Sequence, residues 1–251
     1  MSRLKGKVAL VTGAGQGVGQ GIAFALAADG AAVAVTGRTF SKVENTVAEI
    51  TRRGGKAIGL ALDVKDAAGI EACVKEVVKQ LGGLNILVNN AQEVPLGDLH
   101  SVTDEAFTAG YESGPLATLR LMKACYPHLK GDGSIVNLAS TAAKRWDMTG
   151  YGAYAAVKDA IRSLTRGAAC EWAHEGIRTN VILPHAKSPG LEGWIKAFPE
   201  EAAAFMATIP MRRIGELEDD IGRFVATLCS DDCRYVNGQS IALDGGQAYL
   251  G

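Results

Sequence analysis

The chain alternates between two periodicities from one end to the other, and this alternation constrains its fold more than any other feature. Seven short apolar runs, at residues 7–12, 32–36, 56–61, 85–89, 134–138, 178–183 and 240–243, are separated by longer stretches with helical spacing. Most of these runs are continuously apolar rather than alternating in and out. Strands of that kind are covered on both faces, which implies a parallel sheet sandwiched between helices. The intervening stretches predict helices at 17–28, stopped by Gly30, from Ser41 with Glu44 completing a capping box, at 67–81, from a Thr103 cap to about Lys130, and at 151–173. At 251 residues, with no break in composition, the expectation is a single α/β domain over 1–251. The predicted architecture is a Rossmann-type, doubly wound, seven-stranded parallel sheet. Only 185–211 departs from the rhythm, and it reads as a substrate lid.

Charge and cysteine content narrow the classes of partner. Twenty-six basic and 27 acidic residues leave a formal net charge of -1, which gives no basis for a nucleic-acid or anionic-membrane partner. Phosphate-bearing small molecules stay open, because backbone N–H groups bind them without net positive charge. Cys73, Cys125, Cys170, Cys229 and Cys233 are odd in number and form no C-x-x-C pair, so reduced thiols and no metal site are expected. The polar start and the interruption of the most apolar stretch by Asp29 and Gly30 predict neither signal peptide nor membrane span, hence a cytoplasmic protein.

A glycine-rich turn joins the first strand to the first helix: Thr12-Gly13-Ala14-Gly15-Gln16-Gly17-Val18-Gly19. Glycines there permit a tight turn and let a pyrophosphate approach the N–H groups at the helix start, which points to a dinucleotide. NAD-binding proteins place an acid at the end of the second strand for the adenosine ribose. Here the run Val35-Thr36-Gly37-Arg38-Thr39 has no acid and one guanidinium, which suits a 2′-phosphate. The expectation is NADP(H) as the preferred cofactor, with NAD(H) as the alternative and a solvent-facing or adenine-stacking Arg38 as the plainer reading.

Tyr154-Ala-Ala-Val-Lys158 lies within a predicted helix, where positions i and i+4 share a face. A phenol is a poor base at neutral pH, and an adjacent ammonium stabilises its phenolate and so lowers its pKa. Such a pair can exchange a proton with an alcohol or carbonyl oxygen. Ser140, or Thr141 beside it, ends a strand at the sheet edge where α/β proteins bind ligands. Tyr151 has Ala155 four residues on and lacks a cation partner.

Together these motifs resemble the short-chain dehydrogenase/reductase family over nearly the whole chain. Thr12–Gly19 is similar to its TGxxxGxG turn and Tyr154–Lys158 to its YxxxK. Asp63-Val64 matches the acidic–apolar pair near the adenine, and Asn89-Asn90-Ala91 matches the first three residues of its NNAG. The resemblance implies a hydride exchanged between nicotinamide and a secondary alcohol or ketone. Tyr154 would be the general acid/base, Lys158 would bind the nicotinamide ribose, and Ser140 would orient the substrate oxygen. Gly13, Gly15, Gln16, Gly17, Val18, Gly19, Arg38, Thr39, Asp63, Val64, Asn90, Ala91 and Pro184 would line the cofactor, with Tyr154 and Lys158. It also implies a homo-oligomer, dimer or tetramer.

Several positions depart from the family pattern. Gln92 stands for the last glycine of NNAG, His185 for the glycine after Pro184, and Ser188-Pro189 where a threonine is usual. The position of the asparagine that completes a proton relay in many members falls at Gly114, beside Ser113. Water or Ser113 would then serve Lys158. Gln92, Trp146, His185 and Trp194 are candidate substrate-pocket residues, with the apolar positions of 187–211 closing over a hydrophobic substrate. The missing asparagine keeps two other readings in view: a cofactor-binding protein with little turnover, and a dehydratase or epimerase on the same fold.

Overall fold

The computed structural model describes residues 2–144 and 150–248. It contains seven strands: β1 (Val8–Val11), β2 (Ala32–Gly37), β3 (Lys56–Ala61), β4 (Ile86–Asn89), β5 (Gly133–Leu138), β6 (Ile177–Pro184) and β7 (Ser240–Leu243). All pairings are parallel, in the order β3-β2-β1-β4-β5-β6-β7. The predicted doubly wound sheet is therefore the observed one, each strand within two residues of its expected bounds.

Side-chain alternation explains why the sheet is covered twice. Along β1, Ala9 and Val11 enter one apolar core while Val8 and Leu10 enter the other. Helices α1 (Gly17–Ala28), α2 (Phe40–Arg52) and α9 (Arg223–Cys229) close the first face through Ile22, Leu26, Ile50 and Val225. Helices α3 (Ala67–Leu81) and α5 (Ala117–Leu129) close the second through Ile70, Val74, Leu121 and Met122. The longest helix, α6 (Gly152–Trp172), joins that face at Ala168. Small residues let the layers approach: Gly21 and Gly222 meet where α1 crosses the turn before α9, and a Cβ on Gly21 would stand 2.4 Å from the Leu217 carbonyl.

Two helical expectations need correction. Helix α2 begins one residue earlier, at Phe40, with Thr39 as its uncapped N-terminal neighbour, so Ser41 and Glu44 form no capping box. The long helix expected from Thr103 is in three pieces. Thr103 does cap α4 (Asp104–Tyr111), accepting from the Ala106 N–H, but a π-helical turn at Glu112–Leu116 separates α4 from α5. Pro115 lies in that turn and has no N–H to give the ordinary helical ladder. Such turns cluster at functional sites. The expected lid contains two short helices, α7 (Pro189–Ala197) and α8 (Pro199–Thr208).

Candidate active site

Strand order reverses between β1 and β4, and the loops leaving their carboxyl ends open the crevice where such sheets take ligands. The glycine turn leaves β1 there. The Thr12 hydroxyl accepts from the N–H groups of Asn90 and Ala91 at 3.0 and 3.1 Å. The Asn90 side-chain amide donates to the carbonyls of Thr12 and Gly13 at 2.8 and 3.1 Å. Space explains the glycines: a Cβ at Gly13 would lie 2.9 Å from Ala91 Cα, and one at Gly19 would lie 2.4 Å from Asn90 Nδ2. Gly17 has φ +62°, a conformation that side chains disfavour.

The N-terminus of α1 has the character of an anion site. Gln16 makes no side-chain cap, the first turn holds no acid, and the Gln16 carbonyl oxygen of the side chain is turned to Lys42 Nζ at 2.6 Å. Its leading N–H groups are thus left for a ligand. This donor set fits a dinucleotide pyrophosphate.

On the other side of the crevice, β5 and α6 assemble the titratable groups. Lys158 is buried, and its Nζ donates to the carbonyl of Leu138, the last residue of β5, at 2.7 Å. The same nitrogen lies 5.5 Å from the centroid of the Tyr154 ring. Burial pushes the Tyr154 phenol up to about 12, a hydrogen bond with Ser140 draws it back in part, and the nearby Tyr151 adds to the rise. Burial alone pulls the Lys158 ammonium down to about 7. This reverses the expected direction for Tyr154: desolvation of both groups outweighs their mutual support when the cleft holds protein alone. Ser140 also accepts from the Ala142 N–H at 3.2 Å and starts a single 3₁₀ turn. Thr141, the expected substitute, is buried.

A buried hydrogen-bond chain fixes β5 beneath this group. Asn89 donates to Asn137 at 2.8 Å, and Asn137 donates to Thr165 of α6 at 2.9 Å.

The structure also accounts for the departures at Gly114 and Gln92. A Cβ at 114 would stand 2.9 Å from both Gln92 Nε2 and Val157 Cγ1, so an asparagine there requires the Gln92 side chain to move away. The Gln92 side chain fills that space, its amide atoms buried without a hydrogen-bond partner among the described residues. Ser113 is occupied elsewhere: its hydroxyl accepts from the Glu93 N–H at 2.9 Å and donates to the Ala109 carbonyl at 2.7 Å, tying the π-helical turn to the loop after β4. It is not Lys158 that Ser113 serves.

The remaining candidates fall around the rim. Pro184 ends β6 beside Leu243, and the His185 N–H donates to the Leu243 carbonyl at 2.9 Å. The His185 ring meets Phe205 edge-on at 5.4 Å, and Phe205 meets Trp194 at 5.9 Å, so His185 and Trp194 join one aromatic cluster under the lid helices. Ser188 caps α7 by accepting from the Leu191 N–H. Asp63 accepts from the Lys65 N–H at 3.0 Å, Val64 is buried, and Val18 is half-buried within α1. Arg38 is largely exposed, in keeping with the plainer solvent-facing reading, and donates to Glu93 at 2.7 Å. Trp146 lies outside the described residues. The sequence reading missed Glu93, Lys65 and a lip of exposed apolar residues, Val94, Leu96 and Leu99, in the loop after β4. Leu99 packs at Gly152, at the start of α6. Only the density of apolar residues in 94–99 hinted at that lip.

Away from the site, a cavity of about 500 Å³ opens at the amino-terminal edge of the sheet, lined by Lys7, Asp132, Arg178 and Arg234, and it contains none of these groups. All five cysteines are free. Among the described residues there is no cluster of metal-ligating side chains, and no helix is long and apolar enough to cross a membrane.

A seven-stranded parallel sheet with a glycine turn at its switch point and a Ser–Tyr–Lys group beside it defines a nicotinamide-dependent oxidoreductase. Comparison with known proteins agrees. A family model described as enoyl-(acyl carrier protein) reductase matches residues 13–248. A 12α-hydroxysteroid dehydrogenase from Clostridium sp. is 39% identical over 255 residues, covering 98% of each chain. A short-chain dehydrogenase from Burkholderia cenocepacia, solved with NADP, superposes with a TM-score of 0.90 at 33% identity over 98% of this chain and 99% of its own. A 7α-hydroxysteroid dehydrogenase solved with NADH and 7-oxo glycochenodeoxycholic acid gives 0.91 at 30% identity, over 100% and 98%. The chain belongs to the short-chain dehydrogenase/reductase family and is an NAD(P)-dependent enzyme.

Proposed function

We propose that the enzyme interconverts a secondary alcohol and its ketone on a bulky apolar, alicyclic framework, with NADP(H) as its preferred cofactor. The observation that carries this reading is the convergence of Ser140, Tyr154 and Lys158 at the end of β5, with Lys158 anchored to the Leu138 carbonyl. The nicotinamide supplies or accepts the hydride when bound. Tyr154 holds the proton that the substrate oxygen receives in reduction, and a phenol held near 12 stays protonated for that purpose at neutral pH. Ser140 donates to the same oxygen and fixes its distance from the phenol. Lys158, when charged, stabilises the phenolate left behind and binds the cofactor ribose. The α1 N-terminus, with Gly13, Gly15, Gln16, Gly17, Val18 and Gly19, holds the pyrophosphate. Arg38 and Thr39 face the adenosine ribose, Asp63, Val64, Asn90 and Ala91 the adenine side, and Pro184 the nicotinamide side.

The substrate class rests on the lid. Helix α7 has no buried residue, and Leu191, Trp194 and Ile195 are only half covered, as is Phe205 of α8. Val94, Leu96 and Leu99 add further exposed apolar surface, and such surface suits a rigid ring system of the kind named for the two hydroxysteroid dehydrogenases. The Gln92 amide is turned to Gly114 and the His185 ring to Phe205, so a polar substituent would reach either only after that side chain turns.

Oxidation of NADPH by a panel of alicyclic and open-chain ketones tests the reading. Tyr154→Phe is expected to lower kcat by 10²–10⁴-fold with cofactor affinity retained. If cofactor binds but that variant changes no rate, the protein is a binding module and the reading fails. Arg38→Asp is expected to weaken NADPH selectively over NADH.

A further inference from the structure

One carboxylate joins three loops at the adenosine end of the crevice. Glu93 Oε1 lies 2.7 Å from an Arg38 guanidinium nitrogen and 3.1 Å from Lys65 Nζ. Arg38 follows β2, Lys65 follows β3 and Glu93 follows β4. Strand β1 stands between β2 and β4, so the Arg38–Glu93 pair spans two strand spacings, roughly 10 Å, across the glycine turn. The Glu93 backbone is pinned independently of these pairs by its N–H bond to Ser113.

The charge count favours exchange. Two cations share a single monovalent acid and so carry a surplus positive charge. A phosphate monoester brings a charge of about -1.5 to -2 near neutral pH and three acceptor oxygens. The side chains of Arg38, Lys65 and Glu93 are 61%, 31% and 30% exposed, so the pairs are open to solvent and are easily broken. A 2′-hydroxyl gives the two cations no reason to leave Glu93.

We infer that Glu93 is a specificity-determining residue whose carboxylate fills the subsite that Arg38 and Lys65 offer to a nucleotide 2′-phosphate, and so restrains the enzyme's preference for the phosphorylated cofactor. The inference rests on the proposed role of Arg38 and adds Glu93 and Lys65 to it. Binding of NADPH has to part Glu93 from both cations and leave it beside the phosphate as a like charge.

The test is a fluorescence titration of the full-length protein with NADPH and NADH, comparing parent, Glu93→Gln, Lys65→Gln and Arg38→Asp. Glu93→Gln keeps the side-chain volume and the backbone bond to Ser113. It is expected to raise the ratio of NADPH to NADH affinity three- to tenfold at low ionic strength, an advantage that shrinks as salt rises. Lys65→Gln is expected to lower the same ratio. If Glu93→Gln leaves the ratio within twofold of the parent while Arg38→Asp loses NADPH selectively, the role of Glu93 is overturned and that of Arg38 stands. If Arg38→Asp leaves the ratio unmoved, both are overturned.

Discussion

Replacing Lys158 by Met should make the ligand-free protein more stable, and the gain should depend on pH. The unfolded chain keeps the lysine proton up to about 10.5, whereas the folded chain releases it near 7. Between those values the unfolded state binds more protons, so the parent's stability rises with pH across that window and is flat below it. Confining a charged lysine at this site costs about 5 kcal/mol below pH 6, at roughly 1.4 kcal/mol per pH unit of displacement. Met is similar in volume but gives nothing to the Leu138 carbonyl that Lys158 Nζ reaches at 2.7 Å, which takes back about 1–3 kcal/mol. The net expectation at pH 6 is a variant about 2–4 kcal/mol more stable than the parent. Between pH 7 and 9 the parent recovers about 2 kcal/mol, and the gap narrows by that amount. Tyr154 does not blur the window, because its phenol titrates from 10.0 upward in either state. Urea unfolding of both proteins at pH 6, 7, 8 and 9, at one fixed protein concentration, measures the gap. A gap that is constant over this range, or a variant less stable at pH 6, refutes the claim that Lys158 is held in the fold against its own charge.

Three further expectations follow from contacts around the crevice. Asn90→Ala leaves the Thr12 and Gly13 carbonyls without their donor; it should cost about 1–3 kcal/mol in urea unfolding and weaken cofactor binding, because the glycine turn loses its brace. Gly21→Ala drives a Cβ to 2.4 Å from the Leu217 backbone, and a loss of about 1–3 kcal/mol or more is expected, with the thermal midpoint as the measure. Gly114→Asn alone should destabilise the protein, whereas Gly114→Asn with Gln92→Gly should restore most of the loss; equal losses in the single and double variants would show that the two positions are not coupled.

The fold was legible because the strands are short and mostly apolar and helical stretches separate each from the next, a pattern that few architectures satisfy. Ser140, Tyr154 and Lys158 were legible because helix periodicity and a strand end place them locally. Three features were not. The π-helical turn at Glu112–Leu116 is built by Pro115 together with a Ser113 bond to a loop about 20 residues away in sequence, and no local pattern encodes that bond. The sign of the Tyr154 perturbation depends on how completely the cleft is dried, which burial of the folded chain decides and spacing does not. The Arg38–Glu93–Lys65 cluster draws on three loops that only the strand order brings together.

Gly114 and Gln92 show why such departures have to be judged in pairs. Read one at a time, each removes a residue usual in related chains and argues for a weakened site. In the folded chain they are one change: the side chain absent at 114 leaves the space that the Gln92 amide enters, and Val157 closes it from the helix that bears Tyr154 and Lys158. Ser113 meanwhile holds the kinked helix to the loop after β4. A site in decay would lose such braces independently and leave a void. Here the space is filled and the kink is held, so the two departures together keep the packing against Val157 on the helix that bears Lys158.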